Sequence, residues 1–209
     1  MAAEAQRAWN KGKVVGKKPP LTPDQVNLIR LILRQEKNWR DLALFNVALD
    51  TSFRGCDLVR LKVSDVATPA GIRELVEIRQ KKTAKRNPRP VQARLSEATR
   101  DSLRVYLAET EKSAHAWLFT GEGARWAHSH LSESQLWRRF KGWVEKAHLD
   151  PALYGLHSLR RTFPTYIHQQ TGNLRAAQLL LGHASIESTK DYIGTEQAEA
   201  LEIARKYHL

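Results

Sequence analysis

Cysteine is nearly absent from this sequence. Cys56 stands alone among 209 residues, which excludes an internal disulfide and any cysteine-rich zinc site. Long apolar runs are missing too: no segment approaches the roughly 20 consecutive apolar residues of a membrane span, and the N-terminus has no signal-peptide core. These absences predict a soluble protein of a reducing compartment, the cytoplasm. Negative charge is also scarce, with 22 Asp and Glu against 34 Lys and Arg and a net charge of +12. Such an excess points to a polyanion as partner, nucleic acid before an anionic membrane, although charge that serves solubility alone would look the same. Apolar residues make up 42% of the chain, an ordinary share that argues against disorder and for one domain with a sizeable core.

Residues 1–20 read as a basic N-terminal arm and residues 21–209 as the folded domain. In the arm Lys11, Lys13, Lys17 and Lys18 alternate with Gly12, Gly16, Pro19 and Pro20, too polar and too broken to build a core. A passive tail and a DNA-binding arm both fit that composition. Order begins at Leu21, where Thr22 can cap a helix, Pro23 suits its first position, Gln25 completes a capping box, and Leu21 with Val26 forms a staple. The spacing predicts helices over 23–36, 39–50 and 56–61. It then predicts strands over 75–79 and 90–95 with a basic turn between them. Further helices are expected over 97–109, from Ser132 to about 147, over 157–171 closed by Gly172, over 174–181 closed by Gly182, and over 196–207. The fold class is mainly α with a small antiparallel β-sheet, an α+β arrangement.

Three separated clusters carry chemistry. Arg54 falls in a turn between helices, with Asp57 about one helical turn on; a guanidinium there can present a planar fork to phosphate oxygens, and the carboxylate can hold it. The stretch from Arg79 through Gln80, Lys81, Lys82, Thr83, Lys85 and Arg86 to Arg89 contains no acidic residue, and a hairpin tip so composed can lay cations along a phosphate backbone. In the C-terminal quarter, His157 and Arg160 are spaced to share a helix face, His183 follows Gly182 at an exposed corner, and Tyr192 stands nine residues later. The histidines show no metal-ligand spacing.

Taken together, His157-x-x-Arg160, Leu181-Gly182-His183 and Tyr192 resemble the C-terminal signature of the tyrosine recombinases, a family of phage integrases, Xer-type resolvases and fimbrial invertases. Arg54 with Asp57, Leu58 and Leu61 looks like the family's first arginine box, and Lys82-Thr83 looks like its catalytic lysine turn. The resemblance spans residues 21–192 in the family's order and implies that family's catalytic-domain fold. It implies site-specific cutting and rejoining of double-stranded DNA, without metal or cofactor, by a homotetramer on two recombination sites, with DNA-bending accessory proteins as possible helpers and the nucleoid as location. Arg54 and Arg160 would clamp the scissile phosphate, Tyr192 would attack it, and Lys82 would protonate the leaving 5′-oxygen. His157 would act as base or relay and His183 would hydrogen-bond the phosphate. Lys81, Lys85, Arg86, Arg89 and Arg161 would bind DNA.

The sequence departs from the family pattern in four places. Ser52 stands where glycine is usual, Arg161 replaces a frequent histidine, Pro164 follows in the same helix, and only about 20 residues precede the first expected helix, where most relatives carry a core-binding domain. In that last respect the size resembles the fimbrial invertases. A type IB topoisomerase, or a DNA-binding regulator of the same fold without catalysis, would share many of these residues.

Overall fold

The computed structural model describes residues 18–81, 90–121, 128–183 and 185–193, the last four of them as backbone. Among these the chain runs through α1 (Pro23–Gln35), α2 (Trp39–Thr51) and two single turns, α3 (Gly55–Leu58) and α4 (Val63–Val66). Four short strands follow: β1 (Ala67–Thr68), β2 (Gly71–Ile72), β3 (Leu75–Ile78) and β4 (Val91–Arg94). Helices α5 (Glu97–Thr110), α6 (Glu133–Lys146), α7 (Leu156–Thr171), α8 (Leu174–Leu181) and α9 (Ile186–Ile193) complete the order. The fold is mainly α, as predicted, but its strands form two antiparallel pairs, β1 with β2 and β3 with β4. In the second pair Val76 opposes Ala93 and Ile78 opposes Val91.

Helix α1 starts on the expected capping box: Thr22 Oγ1 accepts from Gln25 N at 3.3 Å, and the Gln25 side chain accepts from Thr22 N at 3.0 Å. Ser132 and Gln135 open α6 in the same way over the buried Leu131 and Leu136. Helix α2 is buried along nearly its whole length and packs against α1, α5 and α7. A helix covered on every side must satisfy each polar group that it carries inward. Asp50 Oδ2 accepts from Ser96 N at 2.7 Å and Thr99 Oγ1 at 2.6 Å, which caps α5 from a distance. Asp41 accepts from Arg40 Nε at 3.0 Å, from Arg139 at 3.2 Å and from the Trp143 indole at 3.0 Å, tying α2 to α6. Trp143 also meets Phe45 edge-to-face, with centroids 5.6 Å apart.

Several boundaries differ from expectation for identifiable reasons. Helix α3 stops at Leu58 instead of Leu61. Helix α4 and the pair β1–β2 are too short to show a period in the sequence. Ser52 closes α2 at φ 51°, the left-handed conformation for which glycine is suited. Its backbone N–H donates to Ala48 O and its hydroxyl to Leu49 O, which hold a serine in a conformation costing about 1–3 kcal/mol. Pro164 sits in the third turn of α7, beyond the first turn where proline is well tolerated, so its ring nitrogen offers no donor to the Arg160 carbonyl. Helix α9, carrying Tyr192, is an addition to the expected list; Ser185 Oγ accepts from Ser188 N at 3.2 Å where the helix begins. The expected helix over 196–207 and the basic turn at 82–89 lie outside the described residues. No described helix is long and apolar enough to cross a membrane.

The Asp41 cluster generates a stability prediction. Asp41→Ala removes the acceptor that an indole N–H and two guanidinium groups share, at a site where the carboxylate is 4% exposed. The arginines keep some access to water, so we expect a loss of about 2–4 kcal/mol in chemical denaturation.

Candidate active site

Four segments meet at the C-terminus of α8. Gly182 closes that helix in the left-handed conformation, φ 62°, and a β-carbon there would collide with Val91 Cγ2 and lie 3.1 Å from Gln80 Nε2. Only glycine permits both the backbone turn and this approach to β4. The last carbonyl of α8, Leu181 O, accepts from Arg160 at 2.7 Å and from Gln80 Nε2 at 3.4 Å. The Gln80 side-chain oxygen in turn accepts from Arg54. Gln80 and Arg160 are 4% and 5% exposed, whereas Arg54 is half-buried. Thus α3, the end of β3, α7 and α8 bring two guanidinium groups to one place.

His183 joins them. Its backbone N–H donates to Gln178 O and its carbonyl accepts from Gln178 Nε2, each at 3.1 Å, so the residue is latched to α8 from both sides. Its ring Nδ1 lies 3.2 Å from Thr189 Oγ1, which ties α9 to the site. The ring is half-buried, more enclosed than the exposed corner expected from the sequence. Burial, then Arg160, then Arg54, push its pKa down to about 4, so the imidazole is neutral at physiological pH. Tyr192 lies three residues beyond Thr189 on α9. His157 sits exposed in the first turn of α7, one turn before the buried Arg160.

Two residues take partners that the sequence did not suggest. Asp57 does not hold the Arg54 fork; its Oδ1 accepts from Lys81 N at 3.0 Å and so anchors the chain where it leaves β3. Arg161, expected at DNA, is 7% exposed and donates to Lys18 O at 2.8 Å. Successive residues of α7 face different directions, so the neighbour of Arg160 is turned to the segment before α1. There Leu21 N also donates to Thr162 Oγ1 at 3.0 Å. Lys81 is exposed, while Lys82, Lys85, Arg86 and Arg89 lie outside the described residues.

The sequence reading passed over Gln80 as one more polar residue in a basic run; its place just past a strand end was the available signal. Gln178 and Thr189 had none, because both act through contacts across helix ends.

Three other nucleophilic side chains are poorly suited to attack. The Cys56 thiol is pushed up by burial and then by Asp57 and Glu133, which keeps it protonated. Tyr106 is pushed up to about 12, chiefly by burial, and donates to Leu118 O at 2.8 Å. Tyr154 is buried beside Gln25.

The family model of the phage integrase family matches residues 20–199. Over 192 residues the chain is 30% identical to the tyrosine recombinase XerC of Chromobacterium violaceum, covering 88% of this chain and 58% of that protein. It is 40% identical over 62 residues to the tyrosine recombinase XerD of Xanthomonas axonopodis pv. citri, covering 30% of this chain and 20% of that protein. The chain therefore spans less than two thirds of these relatives. Among solved structures it resembles XerA recombinase with a TM-score of 0.73 at 22% identity, over 93% of this chain and 66% of that one. It also resembles the XerH site-specific recombinase bound to its difH substrate, with a TM-score of 0.68 at 20% identity, over 92% and 55% of the two chains. At these identities the likeness is one of fold.

The depressed titration of His183 makes the stability of the fold depend on pH. The folded ring titrates near 4 and an unfolded histidine near 6.5, so the unfolded chain binds more protons between those values. The contribution of the neutral ring is fully present above pH 6.5 and is lost as the pH falls toward 4. Denaturation midpoints measured across that window should fall more steeply for the native chain than for His183→Gln.

Proposed function

Since the chain belongs to the phage integrase family, we propose that it is a site-specific DNA recombinase that breaks and rejoins strands through a 3′-phosphotyrosyl link to Tyr192. The observation that carries this reading is the convergence of Arg54, Arg160 and a neutral His183 on the Gln80–Leu181 junction, beside the helix that bears Tyr192. Such a cluster suits a phosphodiester that gains negative charge as it is attacked. Arg54 and Arg160 would bind its non-bridging oxygens. A neutral His183 can donate from Nε2 when Thr189 donates to Nδ1.

In the proposed reaction the Tyr192 oxygen attacks phosphorus and gives up its proton, with His157 as base or relay. The bond to the 5′-oxygen breaks, and Lys82 supplies the proton that the leaving oxygen needs. Attack of a 5′-hydroxyl on the phosphotyrosine reverses these steps, so rejoining requires no ATP. Lys81, Lys85, Arg86 and Arg89 would lie along the DNA backbone. Arg161 is proposed for that face as well, from a buried position where its guanidinium also donates to Lys18 O.

On this reading residues 21–209 are the catalytic domain and 1–20 a basic arm. The partners are double-stranded recombination sites, a homotetramer of this chain, and DNA-bending accessory proteins. The setting would be the nucleoid of the cytoplasm.

The test is covalent capture on nicked duplexes from a fragment library, whose broken strand cannot be resealed, followed by sequencing of the captured DNA. The native chain should form an adduct and Tyr192→Phe none, with DNA binding nearly unchanged; adduct from the variant would sink the assignment. Lys82→Ala should slow adduct formation about 10²–10⁴-fold even at saturating protein, as expected for loss of a general acid. A substrate with sulfur at the 5′-bridging position should restore it, because a thiolate leaves unprotonated. The same rescue at Lys81→Ala instead would move that role along the hairpin.

A further inference from the structure

Gln80 is a buried side chain that joins Arg54 to the Leu181 carbonyl, on which Arg160 also rests. It lies two residues past the end of β3 and two before Lys82. Its oxygen takes the Arg54 guanidinium, and its nitrogen donates to Leu181 O at 3.4 Å, the carbonyl that also receives Arg160 at 2.7 Å. A glutamine can do this because it alone among side chains of that length offers an acceptor and a donor on one planar group. Next to it, Lys81 N donates to Asp57 Oδ1 at 3.0 Å, and Asp57 belongs to the same single-turn helix that Arg54 caps. The seat is shaped for it: the missing β-carbon of Gly182 leaves the space that Gln80 and Val91 occupy.

Arg54 has no such support from its own element. It stands at the N-terminal cap of the four-residue α3 and makes no capping bond with its side chain. A long, half-exposed guanidinium held only by its own stem would lose rotamer entropy on meeting a phosphate. A hydrogen bond donated to a neutral amide oxygen prepays that cost without neutralising the charge, which a carboxylate in the same position would do.

We propose that Gln80 is a positioning residue that holds Arg54 ready for a phosphate and makes its presentation depend on the seating of the hairpin stem that leads to Lys82. This rests on the recombinase reading. Gln80 acts through Arg54 and has no proton to transfer in the reaction. Arg54 and the hairpin stem are thereby coupled: when β3 and β4 sit against Gly182, Gln80 is in place and Arg54 is aligned. When the stem lifts, Arg54 loses its acceptor.

The test uses the full chain and inorganic phosphate as probe, with arginine Nε–H signals followed by NMR and stability by thermal unfolding. Arg54→Ala should weaken phosphate binding about tenfold or more, the worth of one charge-assisted hydrogen bond. Gln80→Leu, similar in size and without polar atoms, should weaken it about tenfold as well and leave the Arg54 Nε–H signal averaged. Gln80→Glu should keep that signal ordered, because an acceptor remains, yet bind phosphate as poorly, because the carboxylate competes for the guanidinium. A role in packing alone predicts that both Gln80 variants follow their melting temperatures, with no split between arginine order and phosphate affinity. If Gln80→Leu does not fold, the Glu variant decides by that split. Native phosphate affinity in both Gln80 variants, with Arg54→Ala impaired, would overturn the proposal and leave the recombinase reading standing. Native affinity in Arg54→Ala itself would overturn the reading on which the proposal rests.

Discussion

At the end of α8 the Leu181 carbonyl has run out of helical donors, and Arg160 meets it at 2.7 Å and Gln80 at 3.4 Å. The rest of the site hangs on that junction. Arg160 approaches from α7, Gln80 from the exit of β3, and Gly182 turns the chain so that His183 faces the same space. A side chain at Gly182 would push β4 away and open the seat of Gln80. The constraint is therefore steric and electrostatic at once: a backbone oxygen needs donors, and only a residue without a β-carbon lets them reach it.

Placing a guanidinium at 5% exposure is expensive unless its surroundings compensate. The C-terminal end of a helix, where the dipole is negative, is a favourable place for it. The consequence reaches His183, whose proton is repelled by the same cations and made costlier by burial. One arrangement thus yields a concentrated positive field from the arginines and a neutral imidazole beside it, the combination suited to holding an anion while a nearby ring donates a single hydrogen bond.

Elsewhere, buried polar groups act as cross-links between elements. Asp41 fastens α2 to α6, Asp50 caps α5 from within α2, and Asp57 fixes the backbone at Lys81. Arg161 and Thr162 bind the segment from Lys18 to Leu21 across α7, while Lys18 reaches Ala152 O. The helix that carries Arg160 and His157 is thus strapped directly to the chain leading into the domain. Arginine at 161 serves that strap because its long stem reaches a backbone carbonyl while the neighbouring Arg160 points the other way.

The sequence by itself determined what depends on local order. Capping boxes at Thr22 and Ser132, the glycine stops at 172 and 182, the alternating β3 and β4, and the spaced signature from Arg54 to Tyr192 are all short-range patterns, because caps, periods and turns are satisfied by neighbours along the chain. Only the tertiary structure decided which partner each polar group takes. Asp57 sits one turn from Arg54 yet bonds Lys81, Arg161 follows Arg160 yet bonds Lys18, and Gln80 is linked to Leu181 across 101 positions. Adjacent residues on a helix point in different directions, and a buried donor takes whichever acceptor packing brings within about 3 Å, so sequence proximity carries no vote at these sites.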